Sequence, residues 1–253
     1  MPLELVTIPC RTDNYAYLLH DTATGQTALI DAPEAGPIRA ALDARGWRLS
    51  DLLITHHHDD HISAVAALRG DARVIGAAAD AHRLPPLDLA VTGGDKFTLC
   101  GVDCHVIDAP GHTVGHIAFH IPAANAAFTA DSLMSWGCGR LFEGTAAQMW
   151  ATLQHLATLP PATLICSGHE YTASNGRFAL TIEPDNPDYL ARMAEVTAAR
   201  AADRPTVPVR LATELATNPF LRAGLPGVKA AVDMAGAPDV EVFAEIRRRK
   251  DGF

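Results

Sequence analysis

Four of the twelve histidines fall within six residues, in the stretch that runs Leu53, Ile54, Thr55, His56, His57, His58, Asp59, Asp60, His61. The motif closes the apolar run Leu52, Leu53, Ile54, which reads as a strand over Leu52 to Thr55. In extended backbone, residues two apart project to the same side, so His56 and His58 can converge on one point. Asp60 and His61 stand at the start of a helix predicted over Ile62 to Leu68, where adjacent side chains diverge. They therefore serve a second point nearby. Imidazole nitrogen with carboxylate oxygen suits zinc, iron or manganese better than calcium or magnesium.

Two metals need more ligands than these four, and the right residue types recur at the ends of predicted strands. Gly111-His112-Thr113 follows the strand ending at Asp108 and Ala109, Asp131 follows Phe128-Thr129-Ala130, and Gly168-His169 follows Cys166-Ser167. Taken singly, each residue reads as structural: a core histidine, or an aspartate in a cap or turn. As a set they each deliver one His or Asp from an apolar strand into a loop.

The elements that must carry these residues alternate between strands and helices over the first 170 residues. Strands are expected at Leu3 to Ile8, Tyr15 to His20, Thr27 to Asp31, Val74 to Ile75, within Lys96 to Ala109, at Ile117 to Ile121, Ala126 to Ala130 and Thr163 to Ser167. Helices are expected at Ile38 to Ala44, Ala77 to Arg83 and Thr145 to Leu159, the last with Met149, Leu153 and Leu156 on one face. Beyond residue 170 the pattern turns helical, with Asn186-Pro187 opening a helix to about Asp203 and another over Val240 to Lys250. The change of pattern divides the chain into residues 1–172, which carry the metal motifs, and a mostly helical segment, residues 173–253.

With 253 residues, 48% hydrophobic and 19% charged, the chain has the composition of a soluble globular protein. A net charge of −9 disfavours an evenly basic nucleic-acid-binding surface. No apolar run approaches the ~18 residues of a membrane span, and the N-terminus shows no signal-peptide pattern. Five scattered cysteines without a CxxC pair suit reduced thiols in the cytoplasm. The expectation is a cytoplasmic monomer acting on a small molecule, with neither nucleic acid nor membrane as partner.

The metal motifs together resemble the metallo-β-lactamase superfamily. The chain is more closely similar to glyoxalase II, the hydroxyacylglutathione hydrolase family. That resemblance extends to Asp13-Asn14-Tyr15, Gly137-Cys138-Gly139-Arg140, Glu143-Gly144-Thr145, Glu170-Tyr171-Thr172, Thr206-Val207-Pro208, Asn218-Pro219-Phe220-Leu221-Arg222 and Arg247 to Asp251. It implies an α/β fold, an αββα sandwich followed by a smaller helical domain. It also implies one metal on His56, His58 and His112, a second on Asp60, His61 and His169, and Asp131 bridging both. Asp60 and Asp131 are the catalytic carboxylates in this scheme, while His57 and Asp59 are not ligands. The implied cofactors are two divalent ions, zinc first, iron or manganese as alternatives. The implied reaction is hydrolysis of S-D-lactoylglutathione by a metal-bridged hydroxide, with Cys138, Arg140, Tyr171, Arg247 and Lys250 at the glutathione moiety. A mononuclear-iron persulfide dioxygenase of the same superfamily is the alternative. Phe142 stands where the family often has tyrosine.

Overall fold

The computed structural model describes residues 3–253. The chain forms two compact units, Met1–Ala109 with Gly115–Ala130, and Pro110–Val114 with Asp131–Phe253.

The first unit opens with β1 (Leu3–Cys10), β2 (Asn14–Asp21), β3 (Thr27–Ile30), α1 (Ala35–Asp43) and β4 (Asp51–Leu53). Two short helices follow, α2 (Asp59–Ile62) and α3 (Val65–Leu68), then β5 (Arg73–Ala77) and β6 (Leu89–Val91). These six strands form one sheet in sequence order, antiparallel from β1 to β3 and parallel from β3 to β6. Four more strands, β7 (Lys96–Leu99), β8 (Val102–Asp108), β9 (Ile117–Ile121) and β10 (Ala126–Ala130), pair with one another antiparallel in that order.

All eight residues of β2 are buried, as expected of a strand covered on both faces. Its period-2 alternation divides them. Ala16 and Leu18 join Leu29, Leu52, Ile54 and Val74 in a cluster with Ile38 and Leu42 of α1 and Val65 of α3. Tyr17 points the other way, edge-on to Phe128 of β10 at 5.6 Å, and so ties the two sets of strands together.

The predicted helix over Ile62 to Leu68 is split. The Ala64 amide donates to the Ala32 carbonyl, and the His61 carbonyl accepts from the Ala32 amide. Both groups are therefore taken from the helical ladder by the loop after β3. The helix expected at Ala77 to Arg83 is only a 3-10 turn over Ala78–Asp80.

The second unit contains the hairpin β11 (Leu133–Met134) and β12 (Gly137–Cys138), α4 (Ala146–Ala157) and β13 (Leu164–Ser167). After them come α5 (Thr172–Ala179), α6 (Pro187–Ala201), β14 (Val209–Arg210), α7 (Leu211–Thr217), α8 (Pro226–Ala231) and α9 (Asp239–Asp251). Two helix starts are capped by side chains, and the cap at Asn186 is the one read from sequence. Thr145 and Gln148 form a capping box on α4, and Asn186 accepts from the first amides of α6. Trp136 anchors a core with Ala179, Tyr189 and Val196. Among the described residues, no helix is long and apolar enough to cross a membrane.

Candidate metal centre

Strand β4 lies in the parallel part of its sheet, between β3 and β5. The chain leaves its C-terminal end, where open α/β sheets present their loops to ligands. Thr55, His56 and His61 are fully buried there. His58 is the extended N-cap residue of α2. The His56 ring lies 4.7 Å from that of His58 and 4.2 Å from that of His61. Asp60 Oδ2 is 3.9 Å from His61 Nε2. The four residues of the motif read as ligands therefore face one another, and His56 bridges the two pairs.

Their orientation is set from behind by Asp31. Its carboxylate accepts from the Thr55 amide and the Thr55 hydroxyl, each at 2.9 Å, and from His61 Nδ1 at 2.8 Å. A carboxylate only accepts, so the His61 hydrogen sits on Nδ1 and the Nε2 lone pair faces the other ligands. The Thr55 hydroxyl has spent its hydrogen on Asp31, so it accepts from His56 Nδ1 at 3.1 Å. His56 is left with the same tautomer. Asn14 plays the matching part for Asp60, donating to Oδ2 at 3.0 Å and to the Asp60 carbonyl at 3.1 Å.

The interleaved residues turn elsewhere. His57 Nδ1 is 3.2 Å from Asp80 Oδ2, and its Nε2 is 3.3 Å from Arg83. A Cβ on Gly115 would collide with that Asp80 carboxylate, so only glycine lets the segment pass. Asp59 is 81% exposed and pairs with Arg11 at 2.8 Å. His116 stacks on His56, with centroids 4.8 Å apart.

In the second unit, one oxygen of Asp131 lies 3.4 Å from His112 Nε2 and 3.3 Å from His169 Nε2. His112 Nδ1 donates to the Arg140 carbonyl at 2.8 Å, which again leaves the Nε2 lone pair aimed at the carboxylate. Two electron-rich atoms at that separation call for a cation. The donor set, imidazole and carboxylate with the hydrogens pinned on the far side, fits zinc, iron or manganese. Each of the seven predicted ligands is among the His and Asp residues that could hold a metal ion. Gly139 is required here, because a Cβ would strike the Asp131 carbonyl and stand 2.9 Å from His112 Nδ1.

The predicted substrate residues divide by exposure. Tyr171 is partly exposed and stacks on His169 at 4.7 Å, while Phe142, 63% exposed, meets His112 edge-on at 5.3 Å. Arg140 is exposed. Lys250 is half-buried, its ammonium 5.5 Å from the Phe178 ring and 5.3 Å from the Phe253 ring. Burial lowers its pKa from the ordinary lysine value, and the charges of Arg247, Arg177 and Arg140 lower it further. Arg247 is buried, and its contacts are with protein: it donates to the Cys138 carbonyl at 2.9 Å, pairs with Asp251 at 2.8 Å and covers Phe220. Burial pushes the Cys138 thiol up to about 11.

Asp31, Thr55 and Arg177 were not among the predicted site residues. Asp31 carries the same signal as Asp131, an apolar strand ending in a lone aspartate. Nothing in the spacing of α5 marks Arg177.

Residues 11–169 match the family model for the metallo-β-lactamase superfamily. The fold agrees: a structure of ETHE1 from Myxococcus xanthus, 24% identical, superposes with a TM-score of 0.65 over 99% of this chain and 98% of that one. A B3 metallo-β-lactamase, BLEG-1, 20% identical, gives 0.67 over 86% and 99%. The chain is thus a metallo-β-lactamase-fold protein with a helical C-terminal region. Residues 170–253 match the model described as hydroxyacylglutathione hydrolase C-terminus. A hydroxyacylglutathione hydrolase of Jannaschia sp. (strain CCS1) is 64% identical over 99% of this chain and 98% of its own length. One of Cereibacter sphaeroides (strain ATCC 17025 / ATH 2.4.3) is 62% identical over the whole of both. The chain belongs to the hydroxyacylglutathione hydrolase family.

Proposed function

We propose that this protein hydrolyses S-D-lactoylglutathione to glutathione and D-lactate at a dinuclear centre. His56, His58 and His112 would hold one ion, Asp60, His61 and His169 the other, and Asp131 would serve both. The ions would be zinc, with iron or manganese as the other candidates. When bound, such a pair lowers the pKa of water towards ~7 and polarises a carbonyl beside it. The chain's own residues do the rest. Asp31, Thr55, Asn14 and the Arg140 carbonyl hold the ligands in one tautomer and one orientation. Asp131 supplies the negative charge that balances two cations. No separate acid is needed, because a thiol of pKa ~8.5 leaves readily as thiolate.

Glutathione carries two carboxylates, and Arg140, Arg177 and Lys250 would offer matching charge, with Tyr171 also at the substrate. Arg247 acts from beneath, fixing the Cys138 backbone. In this reading residues 1–172 carry the catalytic centre and residues 173–253 recognise the substrate, in a cytoplasmic monomer without nucleic-acid or membrane partners.

The observation that carries the proposal is Asp131, facing the Nε2 atoms of two histidines in a chain that matches its family along its whole length. The deciding experiment follows thioester loss from S-D-lactoylglutathione with metal-loaded protein. Metal content is measured in parallel, as is oxygen uptake with glutathione persulfide. Thioester loss with two metal equivalents and no oxygen uptake is expected. Oxygen uptake with a single iron would replace the proposal with a persulfide dioxygenase.

A further inference from the structure

The hairpin β11–β12 is too short to hold itself: two-stranded hairpins are marginal in water, and this one pairs only Leu133 with Cys138 and Met134 with Gly137. Its turn residue Trp136 has φ +54, a left-handed conformation that a bulky side chain keeps only when its surroundings impose it. The surroundings are side chains of the helical segment. Asn218 Nδ2 donates to the carbonyls of Met134 and Gly137, each at 3.1 Å. The Glu214 carboxylate accepts from the Trp136 amide at 2.7 Å and from the Ser135 hydroxyl at 3.3 Å. Thr217 accepts from the Trp136 indole at 2.8 Å, and Asn175 donates to the Ser135 carbonyl at 3.0 Å. Arg192 donates to the Ser135 hydroxyl at 2.6 Å and pairs with Glu214 at 3.4 Å.

The hairpin leads directly to the metal ligands. Its ladder continues through the Gly139 amide, which donates to the Ser132 carbonyl at 3.3 Å. Beyond that bond stand Asp131 on one strand and Arg140 on the other. The Arg140 carbonyl is the group that fixes His112 Nδ1. A displacement of the hairpin therefore reaches both Asp131 and His112.

We propose that Asn218 and Glu214 are positioning residues that set Asp131 and His112 for metal binding through the β11–β12 hairpin. Recognition of substrate is then not the only task of the helical segment; it also builds one side of the metal centre. Stability alone is a poor reason to keep the fully buried Glu214 with Arg192, since apolar replacements of buried ion pairs are often neutral or stabilising. Holding one backbone arrangement is a better one. The inference rests on the ligand roles proposed above for Asp131 and His112.

The test compares Asn218→Ala with Glu183→Gln. Glu183 pairs with Arg222 at 2.7 Å in the same unit and makes no hydrogen bond to the hairpin. Both variants should melt lower than wild type. Only Asn218→Ala should lose metal to a chelator about tenfold faster, the low end of what removing an outer ligand support costs. In metal-free protein, only Asn218→Ala should speed hydrogen exchange of amides 131–140. Its kcat should fall more than its KM changes. Should Asn218→Ala fail to fold, Thr217→Val removes the indole acceptor together with the hydroxyl's own bond to the Thr213 carbonyl, and should shift retention and exchange in the same direction. Wild-type retention and exchange in the folded variant would overturn the inference, as would equal changes in Glu183→Gln. Wild-type protein that binds metal without cleaving the thioester would sink the functional reading alone.

Discussion

Asp31 accepts the Nδ1 hydrogen of His61 at 2.8 Å across thirty residues of sequence. The same carboxylate holds Thr55, and through its hydroxyl His56. One buried acid therefore orients two candidate ligands that no local spacing connects to it.

Asp31→Asn should lose metal and stability together. An amide keeps one acceptor oxygen but turns an NH₂ toward Thr55 or His61, both donors. Leaving one buried donor unsatisfied costs about 1–3 kcal/mol, and losing an outer ligand support costs about 10–100-fold in metal affinity. Urea unfolding of the metal-free variant and metal analysis of the loaded one check the two halves separately.

Asp131→Asn should lower both metal content and turnover, because a neutral amide leaves two cations without the charge between them. Two full equivalents with unchanged turnover would remove Asp131 from the bridging role.

His57→Ala should keep both metals and most activity. Its ring faces Asp80 and Arg83, and Asp80 retains Arg83 when the ring is gone. Loss of a whole metal equivalent in the folded variant would show that the ligands are misassigned.

Lys250→Ala should raise KM for S-D-lactoylglutathione by about tenfold, the lower end for a charge-assisted contact of ~1.5–3 kcal/mol. The effect should shrink at high salt, with kcat changing less. Arg247→Ala should also lower thermal stability, since it strips the donor from the buried Cys138 carbonyl. A small thioester without carboxylates should show no KM change in Lys250→Ala.

Burial raises the folded Cys138 thiol from 9.0 to about 11. Between those values the unfolded chain releases its proton and the folded chain does not, so this contribution to stability is intact below pH 9 and is lost as pH rises through 11. Urea unfolding at pH 8 and 10.5 should show Cys138→Ala losing about 2 kcal/mol less than wild type over that interval. Equal losses would mean that the thiol titrates normally in the folded state.

The sequence alone determined which residues can bind metal and which strands deliver them. Ligand chemistry depends on residue type, and an apolar run ending in His or Asp is a local signal. It also determined the helix start at Asn186, because a cap acts within one turn, and the helix over Thr145 to Leu159, because its apolar face repeats locally. Only the tertiary structure decided what orients those ligands. Asp31, Asn14 and the Arg140 carbonyl reach them across 30, 46 and 28 residues, and hydrogen bonds of that span leave no periodicity to read. The break between α2 and α3 has the same origin: helical spacing runs on through Ser63 and Ala64, but the loop after β3 captures the backbone groups the helix needs. Arg247 is the clearest case. A basic helix end looks like a solvent-facing cluster from sequence, and folding spends one of its charges on the Cys138 carbonyl, where burial makes an unmatched acceptor costly.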